Sequence, residues 1–214
     1  GLATVNAAEL GGVAIAGALE RAGVAPDQVQ QVSYGQVIQA GQGQIPSRQA
    51  QINGGIPKEV PSETVNKVCA SGMRAAGLID QAIRAGDIEV GVAGGMESMS
   101  LAPYLLPGAR SGFRMGDVKA VDSMTHDGLT NPFTHLQMIA EASTVSNEVG
   151  ISREEMDAWS ARSHELAQKA KEAGVLAEEI VPVTVKGRKG DTVVDEDEAI
   201  RPGTTAESLS GLRA

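Results

Sequence analysis

The sequence holds a single cysteine, Cys69, and that scarcity excludes an internal disulfide and any Cys-rich metal site. A lone thiol fits a reducing compartment, so the expected location is cytoplasmic. Aromatic residues make up only 2% of the 214 residues. The 42% apolar content therefore rests on small and aliphatic side chains, which suit closely packed helices and strands. No apolar run approaches the roughly 20 residues of a membrane span, and GLATVNAAEL lacks the charged start of a signal peptide. No membrane partner is expected. The chain does not open on methionine, which points to a natural start further upstream. Cations are the minority charge: 18 Lys and Arg stand against 27 Asp and Glu, a net −9. That balance argues against nucleic acid as the main partner, while a local basic patch remains compatible with an anionic ligand.

What is present reads as alternating helices and strands. Asn6 with Glu9 resembles a capping box for a helix that runs to Arg21, with Gly23 as its left-handed stop. Residues 29–38 predict a strand, Ser47 to Asn53 a short helix, and 63–68 a second strand. The helical pattern from Cys69 to Ala85 leads to a third strand at 87–95. Such alternation implies parallel βαβ units. The texture changes at Pro103, giving a loop-rich stretch, then a helix from about Leu136 to Glu148. Ser152 caps a long charged helix ended by Gly174, with Met156, Trp159, Leu166 and Ala170 as its buried stripe. A hairpin turns at Lys189-Gly190-Asp191. Three parallel strands with no return to the sheet make an incomplete domain, so the chain reads as part of a larger protein.

Cys69 raises the one sharp chemical question. A strand feeding a cysteine that opens a helix places the thiol beside free N–H groups and the positive end of the helix dipole, which favour thiolate. Ser71 and Gly72 let the turn tighten. Ala70, Met73, Ala75, Ala76, Leu78 and Ile79 make the helix apolar all round, as a central buried helix is. Free cysteine is also among the most buried and inert residue types, so local reasoning leaves nucleophile and small core residue both open.

The wider motif bears on that choice. VNKVCASGMRAA resembles the nucleophile motif of the thiolases, with Asn three before the Cys and Ser-Gly after it. GGMESMS with APYLL, RMGDVKAVDSMTHDGL, and GRKGD followed by IRPGTTAESL resemble three further segments in family order. The resemblance covers about residues 1–214 and is nearest to the acetyl-CoA acetyltransferases.

It implies an α/β fold: an incomplete, N-terminal half of a thiolase-like βαβ core at 1–102, and an inserted α+β loop domain for coenzyme A at 103–214. The C-terminal thiolase domain is absent from this chain. It implies Cys69 as the nucleophile that carries the acyl group, Leu129 and Met138 along the pantetheine, and Arg201 and Ser208 at the adenine. Coenzyme A thioesters are substrates, no separate cofactor or metal is implied, and a homodimer or homotetramer is expected. The family's base histidine, second cysteine and Asn-Glu-Ala-Phe segment fall beyond the chain's end, so the 214 residues alone are expected not to turn over. His126, His135 and His164 are read as structural or solvated. Gln137 stands where many acetoacetyl-CoA thiolases have His, and Ile139 where they have Gly, which leaves acyl-chain length open between acetoacetyl-CoA and the longer substrates of degradative thiolases. A non-catalytic fragment that binds coenzyme A or assists assembly is the other class of reading. Lys186, Arg188 and Lys189 read as a solvated hairpin tip or a phosphate contact, and the 195–198 acidic run as solvated. Arg48 is assigned to a partner subunit or a neighbouring carboxylate.

Overall fold

The computed structural model describes residues 1–213. They form two compact units, one spanning Leu2–Thr130 and one beginning at Asn131 and taking in Gly1. The loop-like stretch from Pro103 to Thr130 thus packs with the first unit.

In the first unit, Asn6 starts α1 (Ala7–Ala22) by accepting the Ala8 N–H at 2.8 Å, and Gly23 ends it at φ 64°. The chain then builds β1 (Gln31–Gly35), α2 (Pro46–Asn53), β2 (Ser62–Val65), α3 (Ser71–Ala85) and β3 (Gly91–Gly95). The three strands form one parallel sheet in the order β2-β1-β3, as the alternation predicts. Val32 pairs with Ser62 on one side and Val92 on the other, so β1 is central. Each strand is shorter than the span the sequence predicts. Gln36 still donates its N–H to the Val65 carbonyl at 3.0 Å, residues 37–38 then leave the ladder, and the chain turns at Asn66 after β2.

Strand alternation divides the core. Val32 and Tyr34 face Ile15 and Leu19 of α1, Ala50 of α2, and Ile56, an aliphatic core in which each fully buried large side chain contributes about 1.5–3 kcal/mol. The few aromatics cost little here because helices touch through small residues. A β-carbon on Gly12 of α1 would lie 2.5 Å from Asn53 Cβ of α2. On the opposite face α3 packs against β1 and β3. There Gly91 leaves the room that Ile79 fills, since an added β-carbon would stand 2.7 Å from Ile79 Cγ2.

Two expectations need correction. Helix α3 is not buried all round: Ser71, Ala75 and Ile79 are buried against the sheet, while Met73 is 81% exposed. The sheet covers only one side of the helix within this unit. Of the two alternatives for Arg48, a neighbouring carboxylate is not found among the described residues: its guanidinium donates to the Lys58 and Val60 carbonyls and ties α2 to the turn before β2. After β3, the short strands β4 (Tyr104–Leu105) and β5 (Val121–Asp122) pair antiparallel, and a π-helical turn spans Met124–Leu129.

The second unit holds α4 (Met138–Glu148), α5 (Arg153–Glu172), the antiparallel hairpin of β6 (Val183–Val185) and β7 (Thr192–Val194), and α6 (Ala206–Ser210). Ser152 and Glu155 form the predicted capping box of α5. The buried stripe of α5 is not found, since Trp159 is 68% exposed and Leu166 46%. Within this unit α5 packs on α6 and a 3-10 turn at Leu176–Glu178. Arg162 instead lies 5.1 Å from the Trp159 ring centroid, a cation–π contact on the open surface. Lys186 pairs with Asp191 across the hairpin, and Lys171 Nζ meets Glu196 at 2.7 Å, so the basic tip and the acidic run are both partly neutralised. Among the described residues no helix is long and apolar enough to cross a membrane.

Candidate active site

Cys69 lies in the turn that joins β2 to α3, beyond the C-terminal edge of the sheet, where parallel α/β proteins place their ligands. It does not open the helix as the periodicity predicts: Ser71 is the first helical residue and Ala70 its cap. The difference has a local cause. Asn66 Oδ1 accepts the Val68 N–H at 3.0 Å, and Ser71 Oγ accepts the Lys67 N–H at 2.8 Å and donates to the Val68 carbonyl. These side chains hold peptide groups in a turn that a helical ladder would otherwise need. Val68 is driven to φ 49°, a left-handed conformation that is costly for a β-branched residue and persists only where its surroundings fix it.

The turn leaves Cys69 exposed within this unit. Cys69 lines a cleft of about 440 Å³ together with the ends of β1 and β3, the rest of the cysteine turn, and Gly128 and Leu129. Cys69 and Leu129, two of the residues singled out in the sequence, therefore share one cavity. Helix α3 begins beside it, so its unpaired N–H groups and positive dipole end lie next to the turn that carries the sulfur.

The walls are mostly apolar, with two polar groups that sequence reasoning passed over. Gln36 is 1% exposed; its Nε2 donates to the Ile38 carbonyl at 3.3 Å, while its Oε1 has no hydrogen-bond partner. Glu97, just past β3, accepts the Val37 N–H at 2.9 Å. Tyr34 is a core residue, and burial pushes its phenol up, so it stays neutral.

Met138, Arg201 and Ser208 belong to the second unit. Met138 opens α4 and is half exposed. Arg201 lines a separate cleft of about 490 Å³ with His164, Gln168 and Lys169, and its N–H donates to His164 Nδ1 at 3.3 Å. Ser208 is engaged in the start of α6: its Oγ donates to the Thr205 carbonyl at 2.8 Å and accepts the Thr205 N–H at 3.0 Å. His126 pairs with Asp127 at 2.7 Å on the surface. Among the described residues that line the Cys69 cleft there is no histidine. No cluster of three or more metal-ligating side chains is found among the described residues.

The geometry can be set beside known proteins. The family model for the thiolase N-terminal domain matches residues 1–214. An acetyl-CoA acetyltransferase of Cupriavidus necator is 52% identical over 213 residues, which are 99% of this chain and 54% of that protein. One from Chromobacterium violaceum is 49% identical over 214 residues, 100% of this chain and 55% of the relative. The crystal structure of the Bacillus anthracis acetyl-CoA acetyltransferase superposes with a TM-score of 0.95 at 37% identity, covering 100% of this chain and 54% of that one. The chain thus spans about half the length of the relatives it matches. With its α/β fold and its match over the whole length, this chain belongs to the thiolase family, as an N-terminal domain.

Proposed function

We propose that this chain contributes the nucleophile to an acetyl-CoA acetyltransferase that forms or cleaves 3-ketoacyl-CoA, acetoacetyl-CoA first among them. The observation that carries this reading is the exposed Cys69 thiol, set at the start of α3 in a mostly apolar cleft shared with Leu129. The Cys69 thiolate attacks the carbonyl carbon of acetyl-CoA, the carbon–sulfur bond to coenzyme A breaks, and coenzyme A leaves as a thiol after taking a proton. The acetyl group then rests on Cys69. A second acetyl-CoA, deprotonated at its α-carbon, attacks that thioester and returns the cysteine as thiolate. N–H groups at the head of α3 are suited to stabilise oxyanion charge on this path.

Leu129 and Met138 are assigned to the pantetheine, and Arg201 to stacking on the adenine. Ser208 has its one proton committed to Thr205, so it meets the base as an acceptor. The reaction needs no further cofactor, the working assembly is a homodimer or homotetramer, and the location is cytoplasmic. A second reading, a degradative thiolase for longer chains, rests on Gln137 and Ile139, which depart from the pattern of many acetoacetyl-CoA thiolases and leave chain length open.

The test is the intact mass of the complete protein after incubation with acetyl-CoA. One acetyl adduct that disappears in Cys69→Ala supports the acyl-cysteine. An adduct that survives the substitution, or none in an otherwise active enzyme, refutes it. Rates on acetoacetyl-CoA against a long-chain 3-ketoacyl-CoA separate the two substrate readings.

A further inference from the structure

The C-terminal ends of all three strands are tied together through one residue, Val37. Its N–H donates to Glu97, which follows β3, at 2.9 Å. Its carbonyl accepts from Asn66 Nδ2, which follows β2, at 3.3 Å. The same Asn66 holds the Val68 N–H through Oδ1 at 3.0 Å, and Val68 precedes Cys69. Both Glu97 oxygens also stand 3.4 Å from the Ile38 N–H. The Ile38 side chain, buried, lies against Gly128, where an added β-carbon would be 3.6 Å from Ile38 Cδ1. Glu97 therefore anchors a peptide segment that touches the cysteine turn on one side and the Leu129 turn on the other.

We infer that Glu97 is a positioning residue for acyl transfer at Cys69, acting through Val37 and Asn66. This rests on the reading of Cys69 as nucleophile. The physical need is clear from the turn itself. Val68 sits in a left-handed conformation that its surroundings must enforce. Asn66 is the side chain that caps it, and Asn66 is held in turn by Val37. Without Glu97 the Val37 and Ile38 N–H groups lose their acceptor, residues 37–38 shift to find another, and Asn66 loses its anchor. What Glu97 supplies is reach rather than charge, because its Oε2 alone contacts both N–H groups. A neutral acceptor of equal length does the same work.

The experiment compares Glu97→Gln, Glu97→Asp and Glu97→Ala in the complete protein, with kcat and KM for acetoacetyl-CoA thiolysis and the melting temperature of each. A displacement of the nucleophile by about 1 Å costs on the order of 10²-fold in rate. Glu97→Ala is expected to lose about that factor in kcat, with KM changed less than about threefold, since orientation rather than binding is lost. Glu97→Gln is expected to recover most of the rate, and Glu97→Asp, which keeps the charge but is shorter, to fall between Gln and Ala. If Ala does not fold, the order of Gln and Asp decides alone. Asp more active than Gln, or a folded Ala variant with unchanged kcat, overturns the inference. Cys69→Ser is the separate control: if it retains full turnover, the nucleophile reading falls whatever Glu97 does.

Discussion

Gly35 and Ser71 meet backbone to backbone: a β-carbon placed on Gly35 would lie 2.6 Å from the Ser71 carbonyl carbon. The last residue of the central strand and the first of α3 are thus in direct contact, which sets the helix start, and with it Cys69, hard against the sheet edge.

Gly35→Ala has no flexible neighbour to displace, because the clash is with main-chain atoms. Overpacking of this kind costs about 1–3 kcal/mol. The expected result is a lower denaturation midpoint in the complete protein together with a fall in kcat, since relief requires the head of α3 to move off β1. Denaturant melts and steady-state kinetics check both. An unchanged midpoint would mean that the helix already has slack at this contact.

Ser71→Ala removes the acceptor of the Lys67 N–H and the donor to the Val68 carbonyl, in a side chain that is 5% exposed. The Val68 carbonyl keeps the Ser71 N–H at 3.1 Å, so the main loss is the Lys67 bond, and a hydrogen bond of this kind contributes about 0.5–1.5 kcal/mol. The turn is also freed from one of the two side chains that hold it, so turnover is expected to fall more than stability alone explains. The discriminating measurement is kcat at a temperature where the variant is fully folded; wild-type kcat there would confine Ser71 to a structural role.

The strand–helix alternation, the order of the elements, and the caps at Asn6 and Ser152 were legible because they are local: backbone propensity and a single side chain decide them. The cysteine turn was less legible. Periodicity carries a helix back to Cys69, and only the three-dimensional meeting of Asn66, Ser71 and Val68 shows that the helix starts later. The exposed faces of α3 and α5 were misread for a related reason. An apolar pattern says that a side chain can be buried, while what covers it is settled by elements elsewhere. The role of Glu97 in GGMES is not legible in the sequence, because its partners at Val37 and Ile38 are about 60 residues distant in the chain.

Arg153 is the hinge of the second unit. Its Nε lies 2.9 Å from the Asp157 carboxylate, and its Nη2 donates to the Leu209 carbonyl at 2.7 Å and to that of Leu212 at 3.0 Å. One guanidinium therefore ties the start of α5 to the end of α6, the helix that carries Ser208. Asp157 is 9% exposed, so Arg153→Ala leaves a nearly buried carboxylate without its partner. Hydrogen bonds to charged groups contribute about 1.5–3 kcal/mol each, and a loss of that order is expected in the unfolding free energy. If Ser208 lies at the adenine, loosening α6 raises KM for acetyl-CoA and leaves kcat near wild type. A kcat loss at unchanged KM would place the effect elsewhere.

Glu155 provides a pH-dependent prediction whose sign can be worked out. The Ser152 N–H, at 2.8 Å from Glu155 Oε2, is the main reason its carboxyl is held below the usual carboxylate range, and the Ser152 hydroxyl adds to it. A group whose folded value is depressed stabilises the fold when ionised. Its contribution is complete above the ordinary carboxylate range and is lost as pH falls through the lowered folded value. Glu155→Gln keeps an acceptor for the Ser152 N–H but cannot ionise, so it lacks the favourable negative charge in the first turn of α5. The variant is therefore expected to melt below wild type at neutral pH, with the gap narrowing as pH falls below the ordinary carboxylate range. Added salt is expected to narrow it as well, because the side chain is exposed and its charge is screened. Thermal melts of both proteins across acid and neutral pH measure this. A gap that stays constant with pH would show that the cap works through its hydrogen bond alone, with the charge contributing nothing.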